Sequence, residues 1–258
     1  TWTGKSCSPL QYAHAIAMPR TVANEAHFRT HVRSRVAALR ALIRPSASDS
    51  ASNSQTVGMP FEHGRPTMPH RPQLVLIRHG ETEWSKSGQH TGRTDIPLTE
   101  HGREEASSIA AAVAETSFTH AFASPLGRAW ETASLVGLTP TADDSLLEWD
   151  YGDYEGITTD ETRETIPDWS VWTHDIFNGE SVDEVGRRAD AAIERYSVLS
   201  GPIAVVAHGH FLRIFAARWL HLPAQEGRRF VLNTSTLSLL GWERENRVIN
   251  RWNDPCGW

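Results

Sequence analysis

Short apolar runs recur in the chain after residue 70, and each has the length of one buried strand. Leu74–Ile77 reads LVLI, His120–Ala123 reads HAFA and Pro202–Ala207 reads PIAVVA. Runs of four to six mainly apolar residues are typical of strands that are covered on both faces of a sheet. Two later runs, 237–240 and 248–252, predict two more strands.

Amphipathic stretches follow the first two of these runs. Thr99 is a predicted helix N-cap, because a polar side chain there can accept a hydrogen bond from the first turn. The apolar face of that predicted helix is spaced at three and four residues and consists of Ala106, Ile109, Ala110 and Val113. The pair Ser124-Pro125 predicts a second helix start, with Ser124 as N-cap and proline at the first helical position.

A third helix is predicted from a capping box, since Ser181 and Glu184 stand three residues apart ahead of an apolar stripe that runs to Leu199. Another apolar helix follows residues 208–210 and runs through Leu220. Strands that alternate with helices predict an α/β fold whose sheet is covered on both faces.

Residues 1–70 have a different composition. Between Arg20 and Arg44, six arginines face one acid, Glu25, and a Ser-rich stretch follows at 45–54. We expect 1–70 to be a basic, disordered extension, in which 23–43 could form a basic helix, and 71–258 to be the catalytic domain. An Arg-rich, Ser-rich, acid-poor segment is also typical of organelle transit peptides, which is the alternative to a cytoplasmic location.

The composition of the chain indicates which binding partners and which cellular environment to expect. The chain of 258 residues carries a formal charge of −6, and no long basic run occurs outside the N-terminal region, so nucleic acid is not an expected partner. No stretch approaches the roughly 18 apolar residues of a membrane span. The two cysteines, Cys7 and Cys256, do not suggest a disulfide framework, and a reducing compartment fits.

Two predicted strands end in similar tripeptides, Arg78-His79-Gly80 and His208-Gly209-His210. Ligands of such sheets bind just beyond the carboxyl ends of strands. Arg128 falls in the first turn of the helix after Ser124-Pro125, and a helix start that carries an arginine favours an anion such as phosphate. A metal site at His208 and His210 is the less favoured interpretation, because no Asp or Cys cluster completes a ligand set.

Residues 76–84 (LIRHGETEW) resemble the signature of the histidine phosphatase superfamily, the phosphoglycerate-mutase-like proteins. The resemblance continues in order to about residue 252, through 91–92 (TG), 97–102 (PLTEHG), 124–132 (SPLGRAWET) and 207–209 (AHG). It implies a three-layer α/β/α sandwich with a mostly parallel central sheet. It also implies hydrolysis of phosphate esters through a phosphohistidine, without a cofactor or metal.

Transferred onto this chain, the resemblance makes His79 the nucleophile and Arg78, Arg128 and His208 the residues that hold the phosphoryl group. Its acidic proton donor falls on Glu148. Three neighbouring carboxylates compete for that role, namely Asp150, Asp153 and Glu155.

Within the superfamily, 82–92 and 148–156 are most similar to sedoheptulose-1,7-bisphosphatases. The expected substrate is therefore a phosphorylated sugar, with sedoheptulose 1,7-bisphosphate first. Expected substrate contacts are Ser85, which stands where many relatives have Asn, together with Gln89, Thr91, Gly92 and Gly209. Lys86, His90 and Arg93 are candidates for a second phosphate, and Trp149 and Trp172 for the pocket wall.

Several alternatives share this scaffold. A phosphoglycerate mutase is disfavoured because Glu148 and His208 are only 60 positions apart (208 − 148), whereas cofactor-dependent mutases carry a longer insert there. A broad-specificity phosphatase is the second alternative. A catalytically inactive binding protein is less favoured, because His79 and His208 are both present. The oligomeric state does not follow from the sequence.

Overall fold

The computed structural model describes residues 71–255. The N-terminal extension 1–70, with its predicted basic helix and Ser-rich stretch, and residues 256–258 lie outside the described residues. The domain boundary near residue 70 and the disorder of the extension stay predictions. None of the described helices is long and apolar enough to cross a membrane.

The described chain forms a six-stranded sheet in the order β3-β2-β4-β1-β5-β6. β1 pairs in parallel with β4, β4 with β2, and β2 with β3, while β5 and β6 add an antiparallel edge. The predicted mostly parallel sheet is therefore confirmed. The strands are β1 (Gln73–Arg78), β2 (His120–Ala123), β3 (Thr141–Ala142), β4 (Pro202–Ala207), β5 (Leu237–Glu243) and β6 (Asn246–Asp254).

Seven α-helices surround the sheet within residues 71–255. They are α1 (Glu83–Ser87), α2 (Glu100–Ser108), α3 (Ala110–Ala114), α4 (Gly127–Leu135), α5 (Thr159–Thr165), α6 (Val182–Ser197) and α7 (Gly209–Trp219). Short 3-10 helices occupy Asp144–Leu146, Gly152–Tyr154 and Ala224–Arg229. The predicted capping box of α6 is present.

Alternate residues of β1 face two different cores. Leu74 and Leu76 pack in a core with α6 and α7, whereas Val75 and Ile77 pack in a second core with α3 and α4. Successive side chains of a strand point to opposite faces, so the strand must be apolar throughout to fill both cores. The two cores confirm the predicted three-layer α/β/α sandwich.

Two helix boundaries differ from the prediction. The helix that follows Thr99 is divided at Ile109, whose N–H bonds to the third carbonyl before it, that of Ala106 (3.3 Å), instead of the fourth. The prediction that Ser124 caps the next helix is wrong, because α4 begins at Gly127 with Leu126 as N-cap. An Asp95 carboxylate oxygen accepts the Gly127 N–H (2.8 Å) in its place.

The register of the two central strands fixes where the predicted catalytic segments meet. Arg78 at the end of β1 lies opposite Ala207 at the end of β4. The next residue, His79, donates its N–H to the Ala207 carbonyl (3.0 Å). His79 and His208 therefore lie side by side, each directly after the end of its strand.

Candidate active site

A cavity of about 410 Å³ lies where β1 and β4 end. This volume is within the range of small-molecule sites. Eight of the residues predicted from the sequence to act in catalysis or substrate binding line it: Arg78, His79, Ser85, Gln89, His90, Thr91, Glu148 and Gly209. The strand register thus gathers segments that are far apart in sequence around one concave site.

His79 is buried, and its ring is held in one orientation. Nδ1 lies 2.7 Å from the Gly80 carbonyl oxygen, which can only accept, so Nδ1 carries the proton. Burial, with the charges of Arg128 and Arg78, lowers the pKa of His79 well below its usual value. The imidazole is therefore neutral near pH 7, and its Nε2 lone pair has no protein partner among the described residues.

Gly80 allows a close contact between two backbone segments. A Cβ atom at Gly80 would lie 2.3 Å from the carbonyl oxygen of Gly102 in α2. Real Cβ atoms do not approach an oxygen so closely, so this position requires glycine. The contact seats the start of α2 directly against the loop that carries His79.

His208 and Arg128 are fully buried and pack beside His79, and neither lines the cavity. The ring centroids of His79 and His208 are 5.2 Å apart. Arg128 Nε donates to Nδ1 of His208 (3.2 Å), so the proton of neutral His208 is on Nε2, which donates to the Ser124 hydroxyl (2.7 Å). Ser124 therefore serves the site and not a helix cap. Burial, Arg128 and His79 lower the pKa of His208 well below its usual value.

The remaining hydrogen bonds of Arg128 go to backbone carbonyls of the loop after the nucleophile, those of Thr91 (3.4 Å), Gly92 (2.9 Å) and Thr94 (2.9 Å). A Cβ atom at Gly92 would lie 2.9 Å from the Trp149 carbonyl oxygen, so Gly92 keeps this loop tightly packed. Arg128 thus joins the loop to His208, and its predicted contact with phosphate stays a prediction.

Arg78 faces the cavity with an incomplete set of partners. One terminal nitrogen donates to the Leu232 carbonyl (2.6 Å), while the buried Nε has no hydrogen-bond partner in the described chain. A buried donor without a partner costs about 1–3 kcal/mol unless a ligand accepts from it. Gly209 packs on the guanidinium, because a Cβ atom there would lie 3.2 Å from Nε. Gly209 therefore allows the close approach of Arg78, and its predicted contact with substrate stays a prediction.

The Glu148 carboxylate lies at the start of α7. Oε1 accepts from the N–H groups of Trp149 (2.9 Å) and Phe211 (2.8 Å), and Oε2 accepts from the N–H of His210 (3.0 Å). An oxygen of a carboxylate has two lone pairs. Oε1 is therefore saturated, and Oε2 keeps one lone pair for a proton at the cavity. None of the three competing carboxylates lines the cavity, namely Asp150, Asp153 and Glu155.

Arg188 of α6 braces the segment that carries Glu148. Its terminal nitrogens donate to the carbonyls of Ser145 (2.8 Å), Leu147 (2.9 Å) and Glu148 (3.2 Å), and it makes a two-pronged ion pair with Glu180 (2.7 and 2.8 Å). Burial alone would raise the pKa of Glu180, but the hydrogen bonds and charge of Arg188 outweigh burial and hold that pKa below its usual range.

We expect Arg188→Ala to lower the free energy of unfolding by about 3 kcal/mol, because it leaves the half-buried Glu180 charge without its main partner. Catalytic turnover should fall as well, since Glu148 loses its support. Chemical denaturation and steady-state kinetics measure the two effects. Arg187→Ala is the matched control, because Arg187 is adjacent but mostly exposed. Equal behaviour of the two variants would contradict the bracing role.

One wall of the cavity is built from aromatic rings and neutral histidines. The His210 ring contacts Tyr151 through a short hydrogen bond and lies edge-on to Trp172, with centroids 5.1 Å apart. Trp172 lines the cavity as predicted, whereas Trp149 is fully buried behind it, 5.6 Å away. His90 completes the wall, 4.9 Å from the Tyr151 ring.

Burial lowers the pKa of His90 to about 4. Because the unfolded value is near 6.5, the unfolded chain binds this proton first as pH falls. The contribution of His90 to stability is therefore complete above about pH 6.5, and about 3 kcal/mol of it is lost between about pH 6.5 and pH 4. Denaturation curves over this range should show a smaller pH slope for His90→Gln, whereas His101→Gln, at an exposed position, should keep the slope of the unaltered protein.

Three of the predicted substrate contacts do not line this cavity, namely Gly92, Lys86 and Arg93. Arg93 pairs with Glu180 (3.2 Å) and Asp150 (3.8 Å), and Lys86 lies 3.9 Å from Glu81 and lines an adjoining cavity, which shares Arg78 and Ser85 with the first. The structure does not bring either cation to the cavity that His79 lines. Ser85 does line it, but its hydroxyl donates to the Thr82 carbonyl (3.0 Å) in the cap of α1.

Other residues of the cavity were not predicted as substrate contacts. They are Gly88, Tyr151, Thr159, Arg163, Ser170, Val171, His210, Arg213 and Leu232. The position of His210 two residues after His208 is a local signal, whereas Arg163 and Arg213 stand in no recognisable motif. Among residues 71–255, no group of three or more His, Cys, Asp or Glu side chains is placed to hold a metal ion.

Comparison with known proteins agrees with this architecture. An acid phosphatase of Mycobacterium tuberculosis is 44% identical over 184 residues, covering 69% of this chain and 90% of that protein. The sedoheptulose 1,7-bisphosphatase of Saccharomyces cerevisiae is 37% identical over 190 residues, covering 60% of this chain and 70% of that protein. The solved structure of a Mycobacterium tuberculosis open reading frame is 41% identical, with a TM-score of 0.67, and covers 70% of this chain and 97% of that chain.

The family model described as histidine phosphatase superfamily (branch 1) matches residues 74–255, from the first strand to the end of the described chain. The match spans every element that builds the cavity. The chain therefore belongs to the histidine phosphatase superfamily.

Proposed function

We propose that this chain hydrolyses sugar phosphate esters through a phosphohistidine on His79, without a metal ion, and that a sugar bisphosphate such as sedoheptulose 1,7-bisphosphate is its preferred substrate. The observation that carries the proposal is the state of His79. It is neutral, its proton is fixed on Nδ1, and its Nε2 lone pair is free at a cavity of substrate size. Such a nitrogen is a ready nucleophile.

In the first step, Nε2 of His79 attacks phosphorus and the bond from phosphorus to the sugar oxygen breaks. Glu148 gives the proton that the departing oxygen needs, from the Oε2 position that keeps a free lone pair. The product of this step is a free sugar alcohol and a phosphoryl group on His79.

In the second step, a water oxygen attacks phosphorus, the phosphorus–nitrogen bond breaks, and its electron pair returns to Nε2. Glu148 takes the proton of the attacking water, which restores the acid for the next cycle. Inorganic phosphate leaves, and both groups are back in their starting states.

Fixed cations stabilise the charge on the phosphoryl oxygens. Arg78 lines the cavity beside His79, and its unpartnered Nε is available to a phosphoryl oxygen. Arg128 adds positive charge and neutral His208 adds a hydrogen-bond donor from behind His79, and a direct contact between His208 and phosphate replaces its bond to Ser124. We propose no metal in either step, because these donors supply the stabilisation.

The substrate class rests on two kinds of support. The two curated relatives described above carry the names acid phosphatase and sedoheptulose 1,7-bisphosphatase. The cavity itself combines cationic and aromatic side chains, which suits a sugar ring that carries phosphate. A broad-specificity phosphatase is the second candidate, and the first of those relatives favours it.

The experiment is phosphate release from a panel of sugar mono- and bisphosphates in EDTA, combined with acid-labile, base-stable labelling of the enzyme by rapid quench. We expect release without metal and a transient label on His79. Transfer of the label to a second sugar phosphate in place of water would identify a mutase. Release that requires added metal and leaves no label would overturn the proposal.

A further inference from the structure

We propose that Glu105 is a positioning residue for the nucleophile, His79, on which it acts through the peptide group between Gly80 and Glu81. This role rests on the proposed function, since it concerns the charge that develops on His79 as its nitrogen attacks phosphorus. Glu105 belongs to α2, and its side chain does not line the cavity that contains His79. It therefore acts at a distance from the substrate.

The peptide group between Gly80 and Glu81 is hydrogen-bonded at both ends. Its carbonyl oxygen accepts the proton of His79 Nδ1 (2.7 Å), and its N–H donates to Oε2 of Glu105 (3.1 Å). The two ends of a trans peptide point in opposite directions, so the bonds form one chain from the imidazole to the carboxylate. Hydrogen bonds in such a chain polarise one another. The negative charge of Glu105 thus makes the Gly80 carbonyl a stronger acceptor for the proton of His79.

The packing of α2 brings Glu105 to this peptide group. A Cβ atom at Gly102 would lie 2.6 Å from the backbone nitrogen of Glu81, so glycine lets the helix approach the loop this closely. Glu105 follows Gly102 by three residues and therefore lies on the same face of α2. Its side chain is 27% exposed, so water screens its charge only in part. Its Oε1 lies 3.4 Å from Nε2 of the mostly exposed His101, and exposed pairs of this kind contribute little.

Two neighbouring backbone groups of the loop bond to neutral partners. The N–H of Gly80 donates to Oγ1 of Thr132 (3.1 Å), and the carbonyl of Glu81 accepts from the N–H of Thr99 (2.9 Å). A neutral acceptor would be enough to hold the Glu81 N–H as well. The carboxylate of Glu105 adds negative charge at the one peptide group that holds the proton of the nucleophile.

The charge matters because the imidazole becomes positive during the first step. When Nε2 bonds to phosphorus and the bond to the sugar oxygen breaks, Nδ1 keeps its proton and the ring carries a positive charge. Burial, Arg128 and Arg78 lower the pKa of His79 and thus oppose this charge, whereas the bond to Gly80 acts in the opposite direction. Glu105 strengthens that bond. It should therefore speed phosphorylation, in which the charge develops, and not the later hydrolysis, in which the charge is lost.

Arg78 is the other group through which Glu105 could act. Burial lowers the pKa of Arg78, and the charges of Glu148 and, to a smaller extent, Glu105 oppose that effect. An influence through Arg78 would change the affinity for phosphate. An influence through the peptide group changes the hydrogen bond of His79 Nδ1, so the two can be measured separately.

The first test is the ¹H NMR spectrum of the enzyme without substrate, in which the Nδ1–H resonance of His79 is the signal that His79→Ala lacks. Glu105→Gln removes the charge and keeps the length of the side chain. The resonance should move upfield in this variant, because its hydrogen bond is weaker. Glu104→Gln alters the adjacent, mostly exposed carboxylate of α2 and should leave the resonance in place. A resonance that stays in place in Glu105→Gln would contradict the proposal.

The second test follows formation and hydrolysis of the phosphohistidine by rapid quench. At saturating substrate, Glu105→Gln should slow labelling of His79 about threefold to tenfold and should not slow hydrolysis of the labelled enzyme. Glu105→Ala should slow labelling further, because the Glu81 N–H then has no acceptor. The affinity for inorganic phosphate, measured by competitive inhibition, should change less than about twofold in Glu105→Gln.

Equal slowing of the two steps would indicate a general loosening of the site and would overturn the role of Glu105. A loss of phosphate affinity that accounts for the slower labelling would also overturn it, since Arg78 would then be the target. Phosphate release by the unaltered enzyme without a label on His79 would reject the proposed function instead. The NMR comparison would then still decide whether Glu105 acts on His79.

Discussion

His79→Ala should reduce kcat/KM for every phosphate ester by at least about 10⁴-fold, because it removes the only atom that the mechanism uses to accept the phosphoryl group. Arg78 and Glu148 remain in the variant. Its residual activity therefore measures how much substrate positioning and charge accelerate hydrolysis without the nucleophile. The measurement is initial phosphate release at substrate concentrations well below KM, together with rapid-quench labelling. The label should disappear completely.

The control is His101→Ala, which removes a mostly exposed histidine from α2 and should leave kcat/KM within about twofold. Thermal unfolding of both variants separates loss of the nucleophile from loss of the fold. A folded His79→Ala protein that retains a percent or more of the activity would contradict covalent catalysis at this residue.

Glu148→Gln should reduce kcat/KM for sugar phosphates by about 10²- to 10⁴-fold and affect kcat/KM for p-nitrophenyl phosphate far less, because kcat/KM reports the phosphorylation step and not the later hydrolysis of the phosphohistidine, which is the same for every substrate. A sugar alkoxide is a strong base and needs a proton as it departs, whereas p-nitrophenolate departs without one. The plot of log kcat/KM against leaving-group pKa should therefore be nearly flat for the unaltered enzyme and steep for the variant. A general loss of folding would lower kcat/KM for all substrates to the same extent.

Asp153→Asn is the matched control for this prediction, since the sequence makes Asp153 a competing acid and the structure bonds it to Asn178 outside the cavity. We expect the leaving-group dependence of Asp153→Asn to equal that of the unaltered enzyme. A steep dependence in Asp153→Asn with a flat one in Glu148→Gln would move the acid role to Asp153.

The fold follows from the sequence wherever one face or two faces of an element must be apolar. β1 is apolar from Leu74 to Ile77 and β4 is apolar at every position because these residues fill two cores, and α6 carries both its capping box and its apolar stripe. β3 has only two residues, both exposed, so it leaves no apolar run to detect. The sequence predicts Ser124 as a helix cap because a cap is a local pattern, whereas the residue that its hydroxyl bonds in the site, His208, is distant in sequence.

The residues of the site show the same contrast between positions that a local pattern predicts and positions that tertiary packing determines. Short motifs place Arg78, His79 and Gly209 at strand ends, and the structure finds all three at the cavity. Arg163 and Arg213 reach the cavity through tertiary packing of two helices, which no local spacing encodes. The sequence suggested Arg93 because it stands close to His79 in the chain, yet a distant carboxylate, that of Glu180, takes up its charge. Proximity in sequence is a poor guide to side-chain direction in a loop.

The pairing of β1 with β4 makes enzyme activity a reporter of folding. A shift of one residue between these strands displaces His79 by about 3.3 Å relative to the end of β4 and turns its strand's side chains to the opposite face. Such a misfolded chain could keep most of its helices and still be inactive as an enzyme. The time at which phosphatase activity returns during refolding should therefore show when the correct register between β1 and β4 forms.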